Sequence, residues 1–352
     1  LVQNSEFTGI YGVSFWIVLL NVFGYKWWKN KGKKMAFNWL VLFLFPWITG
    51  LLILPSYKLD KEKFNENINV LIVQPNVHLS DKRKVGYVKE NMKNLVDISS
   101  RNLKEKTNLI VWPETSTISY LFQNGESYLK YIRSNLLKEN TSLLTGLPFY
   151  KKDSDNSFLF YNSIAHIEKN SQNENIYHKL HLVPMAEYIP LSYIFPKLKK
   201  MNLGQANFVH GKEFTIFKVK EYNLAGMICL ESIFPQLHRK FVQNGAEAFI
   251  YVVNDGWYET PPQPQQHAKQ AIYRAIEFRK PVVRCANTGI SQVIDIRGNI
   301  VDELPLNTKG VIQASILPNN SLTFYAKYGD VFAFINIFIV IKMIIISVWR
   351  NR

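Results

Sequence analysis

The chain has 352 residues, 47% of them hydrophobic, enough to bury a large core in one large domain or two smaller ones. Lys and Arg number 42 against 27 Asp and Glu, a net charge of +15, yet no recognition-helix, RNA-binding or zinc-finger pattern accompanies the charge. Nucleic acid is therefore excluded as the partner and an anionic lipid surface fits better. In chain order, the first features are two uncharged runs, 7–23 and 36–55, and roughly 20 apolar residues is what a helix needs to cross the hydrocarbon layer. Both are expected to be transmembrane helices, with buried core helices as the alternative. Segment 25–35 between them holds five lysines and two tryptophans, so the positive-inside rule puts it in the cytoplasm. Residues 56–327 are then expected outside. A last span within 328–352, interrupted only by Lys342, returns Arg350 and Arg352 to the cytoplasmic face, where Lys342 can snorkel. The first run lacks a basic start and a small-residue cleavage site and is followed at once by a second span, so it reads as an anchor rather than a signal peptide. Because the chain begins with Leu1 rather than Met, further residues are expected upstream.

From about Ile68 short apolar runs alternate with longer mixed stretches, the pattern of an α/β domain. Strands are predicted over 69–74, 108–112, 142–147, 157–167, 223–229, 248–253, 281–285, 292–296 and 311–315. Helices are predicted over 85–103, 128–137, 235–244 and 263–278; the last carries Ala268, Ala271, Ile272, Ala275 and Ile276 at helical spacing. Segments 153–156 and 169–175 read as polar turns or loops, and no internal repeat is visible.

Three distant stretches each set one chemically distinct group beside an apolar run: Val-Trp-Pro-Glu114-Thr, Tyr-His-Lys179-Leu-His-Leu-Val-Pro, and Gly-Met-Ile-Cys229-Leu-Glu231. A carboxylate, a cation and a thiol suffice for covalent acyl transfer: the base takes the thiol proton, the thiolate attacks a carbonyl, and the ammonium stabilises the oxyanion. Glu114 is expected at a strand's carboxyl end, where partial desolvation raises its proton affinity. Lys179, embedded among Tyr177, Leu180, Leu182 and Val183, needs a partner for its charge. Cys229 ends a strand, with Glu231 and a helix starting near 233–235 supplying an exposed, dipole-assisted setting. Taken singly, each has a structural reading: a capping Glu, a snorkelling strand Lys, a small buried Cys. A disulfide to Cys285 would consume the thiol, so Cys285 reads as a buried strand residue. Asn162 and Arg279 read as structural hydrogen-bonding and ion-pairing residues, Trp112 as core, and Trp257 as core or pocket lining. No metal-ligand spacing occurs.

The order Glu, Lys, Cys and the residues around each resemble the carbon-nitrogen hydrolase (nitrilase) superfamily, and Tyr177-His-Lys179-Leu-His-Leu-Val-Pro-Met-Ala-Glu187-Tyr-Ile-Pro looks like its apolipoprotein N-acyltransferase branch. Leu143-Leu-Thr-Gly-Leu-Pro, Tyr161-Asn-Ser163, Asn254-Asp-Gly-Trp257, Gln266-His-Ala-Lys-Gln-Ala-Ile-Tyr-Arg274-Ala-Ile-Glu277-Phe-Arg279, Arg284-Cys-Ala-Asn287-Thr-Gly-Ile and Asp295-Ile-Arg-Gly298 follow in the family's order. The resemblance runs over about 68–317. It implies an α-β-β-α sandwich, no cofactor, Glu114, Lys179 and Cys229 as the catalytic set, and Glu187 orienting the lysine or assisting. It further implies a phospholipid acyl donor (phosphatidylethanolamine), a diacylglyceryl apolipoprotein acceptor, and a multi-pass protein of the bacterial inner membrane with a periplasmic catalytic domain. The family commonly has an aromatic residue after its cysteine; Leu230 departs from that. A membrane-tethered amidase-type hydrolase and a non-catalytic lipoprotein-binding protein are the alternatives. Segment 188–208, with Ile189, Leu191, Ile194, Phe195 and Leu198 interleaved with Lys197, Lys199 and Lys200, has the composition of a lipid-gating loop.

Overall fold

The computed structural model describes residues 2–54, 67–78, 81, 86–154, 156–171, 175–191, 194–195, 197–198, 207–257 and 261–350. It opens with α1 (Ser5–Asn30) and α2 (Lys33–Ile53), both long and apolar enough to cross a membrane. Trp16 Nε1 donates to the Leu42 carbonyl at 2.7 Å and Trp27 stacks on Trp39, tying the two together. Helix α1 runs through Lys26 and Lys29, so the basic segment is mostly helical and only Lys31 and Gly32 form the link. Lys31 turns left-handed, at φ 47°, and returns its N–H to the Trp27 carbonyl.

Among the described residues, twelve strands form two six-stranded sheets. The first contains β1 (Ile68–Gln74), β2 (Leu109–Trp112), β3 (Ser142–Lys152), β4 (Phe158–Ile167), β5 (Asn175–His178) and β12 (Gly310–Ile316), in the order β12-β1-β2-β3-β4-β5. The second contains β6 (Ile216–Val219), β7 (Tyr222–Ile228), β8 (Ala248–Val253), β9 (Val282–Ala286), β10 (Ser291–Ile294) and β11 (Ile300–Leu304), in the order β11-β10-β9-β8-β7-β6. Each has three parallel central strands, one antiparallel strand on one flank and two on the other. The same arrangement thus occurs twice, although the residues of the halves share periodicity rather than identity.

Period-two alternation builds the layers. Val70, Ile72, Val111 and Leu144 face the core between the sheets, while Leu71, Val73, Ile110, Trp112 and Leu143 pack with α3 (Tyr87–Asn102) and α4 (Glu126–Leu136). On the second sheet lie α5 (Pro235–Gln243) and α6 (Gln263–Phe278); Ala271 and Ala275 of α6 join the core as its spacing predicts. The result is the expected α-β-β-α sandwich. Trp112 is fully buried, its Nε1 donating to Ser99 Oγ at 2.9 Å, and Cys285 is buried with its thiol on the Val73 and Val111 carbonyls. The three strands missing from the sequence reading, β5, β6 and β11, are all edge strands of four or five residues. Four or five residues are too few to establish a period, even where β6 alternates in burial, and β11 is mostly exposed.

After β12 come the short α7 (Phe324–Tyr328) and α8 (Val331–Arg350), the third helix with membrane-crossing length and apolarity. Helix α1 is docked onto the sandwich through a break at Gly9, whose φ of 63° disfavours any side chain and where an added Cβ would lie 2.5 Å from the Tyr325 ring. The break frees the Ile10 N–H to donate to Glu277 Oε1 at 2.9 Å, and Glu277 pairs with Arg274 at 2.9 Å. Arg279 makes the ion pair read from sequence, with Glu6 as its partner.

Burial pushes the Glu277 carboxyl from its ordinary 4.5 up to about 7, Asp330 adding to the rise and Arg274 and the Ile10 N–H opposing it. The folded state therefore binds the proton more tightly, and the stability it contributes is full below about pH 4.5 and lost as pH rises through about 7. The thermal midpoint of the full chain in detergent is expected to fall between pH 5 and 7.5 by the equivalent of roughly 3 kcal/mol. Glu277→Gln should flatten that fall; an unchanged slope in the variant would assign the titration to another group.

Candidate active site

Three chain segments leave the sheets at one end of the sandwich. Glu114 lies two residues beyond β2, and the backbone turns left-handed immediately afterwards, at Thr115 (φ 46°). Gly146 on β3 makes room for this loop: a Cβ there would stand 2.6 Å from the Glu114 Cα. Lys179 follows β5 directly; its N–H donates to the Asn162 carbonyl at 2.9 Å and its carbonyl accepts from the Gly211 N–H at 2.8 Å. Cys229 follows β7, which ends one residue earlier than predicted, because Cys229 adopts φ 50° and opens a 3-10 turn, Cys229–Ile233.

The lysine is almost completely buried, at 1% exposure. Stripping an ammonium of water costs several kcal/mol unless opposite charge is close. Glu187 supplies it, with Oε2 at 2.9 Å and Oε1 at 3.0 Å, and Glu114 Oε1 lies 3.9 Å away. Asn162 Nδ2 donates to Glu114 Oε1 and to Glu187 Oε1, each at 2.8 Å, and the Val183 N–H donates to Glu187 Oε2 at 2.7 Å. Asn162 is therefore more than the generic structural residue read from sequence: one amide nitrogen spaces the two carboxylates around the lysine. Its only sequence signal is its place in Tyr161-Asn-Ser163.

Burial works to discharge Lys179, but the charges of Glu114, Cys229, Glu187 and Glu231 outweigh it and hold the ammonium above its ordinary range. Burial and then Glu114 push the Cys229 thiol upward, Lys179 and the Asn254 backbone N–H pulling it partly back. Cys229 keeps some solvent exposure despite this enclosure. The enclosure disfavours a standing thiolate, so a reaction through sulfur needs a base to remove the proton.

Glu231 corrects the sequence reading. It is fully buried rather than part of an exposed setting: Oε1 accepts from the Tyr177 hydroxyl at 2.7 Å and from the Leu180 and His181 N–H groups at 2.8 and 3.0 Å, and Oε2 from the Ile228 N–H at 2.8 Å. It bolts the strand carrying Lys179 to the turn carrying Cys229. Helix α5 starts only at Pro235, beyond the 3-10 turn, so its N-terminus is one turn removed from the sulfur. Sequence reasoning also passed over Ser232, Asp255 and His267, which gather with Arg284 on the inner side of the Cys229 turn; the last three had appeared only inside motif strings. Trp257 closes a turn, Asp255–Trp257, and its side chain lies outside the described part. In 188–208, Leu191, Ile194 and Phe195 are more than half exposed while Ile189 is buried. Residues 192–193, 196 and 199–206, with Lys199 and Lys200, lie outside the described residues. A cavity of about 860 Å³, lined by Phe158, Leu159, Tyr188, Ile189, Phe208 and Val209 among others, abuts the site, since the Phe208 N–H donates to the Glu187 carbonyl at 2.8 Å. Among the described residues, no group of three or more His, Cys, Asp or Glu is arranged to hold a metal.

Residues 70–321 match the carbon-nitrogen hydrolase family, and the chain belongs to it. It is 28% identical over 337 residues to the apolipoprotein N-acyltransferase of Geobacter metallireducens and 30% identical over 355 residues to that of Thermotoga maritima. The matches cover 95% and 100% of this chain but 64% and 65% of those proteins, so the chain spans just under two thirds of their length. Its fold is shared with Nit3 of Saccharomyces cerevisiae, a nitrilase-superfamily member, at a TM-score of 0.52 and 19% identity over 72% of this chain and 92% of that one.

Glu231→Gln replaces one of the two acceptor oxygens with a donor facing backbone N–H or hydroxyl groups. The variant is expected to lose about 2–3 kcal/mol of stability, read as a lowered thermal midpoint; a loss below about 0.5 kcal/mol would show that the bolt is dispensable.

Proposed function

We propose that the chain is a membrane-anchored acyltransferase of the kind its relatives are named for, working through a Cys229 thioester. The observation that carries the reading is a partly accessible thiol on left-handed backbone, within electrostatic reach of both a carboxylate, Glu114, and a cation, Lys179. Glu114 takes the thiol proton, and the sulfur attacks an ester carbonyl of a phospholipid, phosphatidylethanolamine being the expected donor. Lys179 and backbone N–H groups of the Cys229 turn stabilise the tetrahedral oxyanion, with Glu187 holding the ammonium in place. The proton returns to the leaving oxygen and a lysophospholipid departs. The free α-amino group of a diacylglyceryl-cysteine apolipoprotein then attacks the thioester, Glu114 accepts its proton, and the N-acylated lipoprotein is released with the thiol restored.

The three apolar helices support a lipid substrate, because a donor acyl chain is too costly in water to arrive by free diffusion. The lysines of 26–34 support a cytoplasmic α1–α2 link, which sets the catalytic domain on the periplasmic side of a bacterial inner membrane. The cavity beside Glu187 has an apolar wall of Phe158, Leu159, Ile189, Phe208 and Val209 that suits an acyl chain, with Asn207, His210 and Lys212 also lining it, and the exposed Leu191, Ile194 and Phe195 suit contact with the bilayer surface.

Intact-protein mass spectrometry of the full chain incubated with phospholipid should show a fatty-acyl increment that is absent in Cys229→Ala and discharged by a diacylglyceryl-cysteine peptide. An adduct discharged by water alone would favour an amidase-type hydrolase. Leu191→Asp combined with Phe195→Asp should slow acyl uptake from vesicles by roughly tenfold or more at unchanged thermal stability. Equal rates would remove the segment from lipid entry.

A further inference from the structure

On the inner side of the Cys229 turn, two buried polar residues, Ser232 and His267, meet one backbone oxygen, and two more, Asp255 and Arg284, stand behind the histidine. The Cys229 carbonyl accepts from the Ser232 hydroxyl at 2.8 Å and stands 3.2 Å from His267 Nε2, which is also 2.9 Å from Ser232 Oγ. His267 Nδ1 lies 2.8 Å from Asp255 Oδ1, and Asp255 Oδ2 accepts from the Arg284 guanidinium at 2.8 Å. The guanidinium also donates to the Ile290 carbonyl and lies 3.3 Å from His267 Nδ1. Ser232 and Asp255 are 1% exposed, Arg284 0% and His267 6%. Burial works against the charge of Asp255, but Arg284 and His267 outweigh it and hold the carboxyl at about 2. Gly289 is part of the construction, since a Cβ there would stand 2.2 Å from Asp255 Oδ2.

A buried histidine with both nitrogens engaged is ordinarily a core residue, but here the engaged atom belongs to the proposed nucleophile's own peptide. Cys229 sits at φ 50°, a strained conformation that an L-residue holds when its surroundings over-determine it. The peptide is planar and trans, so fixing the Cys229 carbonyl inward sends the Leu230 N–H to the opposite side. An oxyanion donor is useful only if it is aimed before the charge develops. We propose that His267, braced by Asp255 and Arg284 and assisted by Ser232, is a positioning residue that sets the Cys229–Leu230 peptide and thereby aims the Leu230 N–H at the forming oxyanion. The inference rests on the acyl-enzyme reading above. It gives the motif strings around Asp255, His267 and Arg284 a shared role: they hold the backbone of the Cys229 turn, and Asp255 also acts on the thiol through its charge, pushing it upward.

Two reactions of the same sulfur separate this role from a merely structural one. Alkylation by iodoacetamide needs the thiolate but forms no oxyanion, whereas acylation by phospholipid needs both. In the full chain in detergent, His267→Ala should slow acyl-enzyme formation by about 100-fold while alkylation changes by less than about threefold, the size of effect seen when one oxyanion donor is lost. Ser232→Ala, a smaller change that spares the fold if His267→Ala does not, should move acylation in the same direction and leave alkylation alone. His267→Gln places an amide N–H at the Nε2 position, within reach of the Cys229 carbonyl, and should recover most of the acylation rate; His267→Asn, which reaches only toward Asp255, should not. Acylation at the wild-type rate in these variants, or a parallel loss of acylation and alkylation, overturns the proposal. Absence of any acyl adduct in the wild-type chain overturns the acyl-enzyme reading itself and this inference with it.

Discussion

The arrangement turns on one buried ammonium group. Lys179 has almost no contact with water, and a cation in that position is tolerable only with carboxylates held close and themselves kept in order. Glu187 lies against it, Glu114 stands one step further out, and Asn162 donates to both so that the two negative charges share the site without drifting together. Those contacts fit where β5 ends, how the 183–187 turn folds back, and the left-handed turn at Thr115 directly after Glu114. Glu231 carries the constraint into the other half of the molecule by accepting hydrogen bonds from the lysine segment and from the cysteine turn at once. The cation comes from the first sheet and the thiol from the second, so their geometry is as fixed as the packing between the sheets.

That packing is a repeated theme. Both sheets set three parallel strands at the centre, and parallel strands deliver all their carboxyl ends to the same edge. Stacking two such sheets face to face brings Glu114 after β2, Cys229 after β7 and Asp255 after β8 into one neighbourhood. Strain is concentrated at the same edge, with positive φ at Thr115 and Cys229, each held by close packing: Gly146 under the Glu114 loop, and Ser232 with His267 behind the Cys229 carbonyl.

The sandwich is joined to its apolar helices by a rigid seam rather than a slack tether. Gly9 interrupts α1 against the Tyr325 ring, Glu6 pairs with Arg279, and Glu277 accepts the Ile10 N–H while pairing with Arg274. Arg274 also reaches the Ile233 carbonyl, at the end of the turn that begins with Cys229. Arg274 thus links the seam with α1 to the turn of the proposed nucleophile.

Much of this was legible in the residues. The apolar runs announced the three long helices, period-two alternation announced the central strands, and three chemically distinct groups beside apolar runs announced the candidate site. These are signals that neighbouring residues carry by themselves. What the sequence could not express depends on residues far apart: the short edge strands β5, β6 and β11, whose pairing comes from a neighbour; the burial of Glu231, which reads as a surface-loving carboxylate until four donors surround it; the bridging by Asn162; and the meeting of Ser232 and His267 at the Cys229 carbonyl with Asp255 and Arg284 behind the histidine. The sequence by itself determined which elements form and which chemistry is available, because propensity, periodicity and reactivity are local. Tertiary structure alone decided which carboxylate meets the lysine and which side chains brace the cysteine, because charge pairing and desolvation act through space and depend on how the two sheets stack.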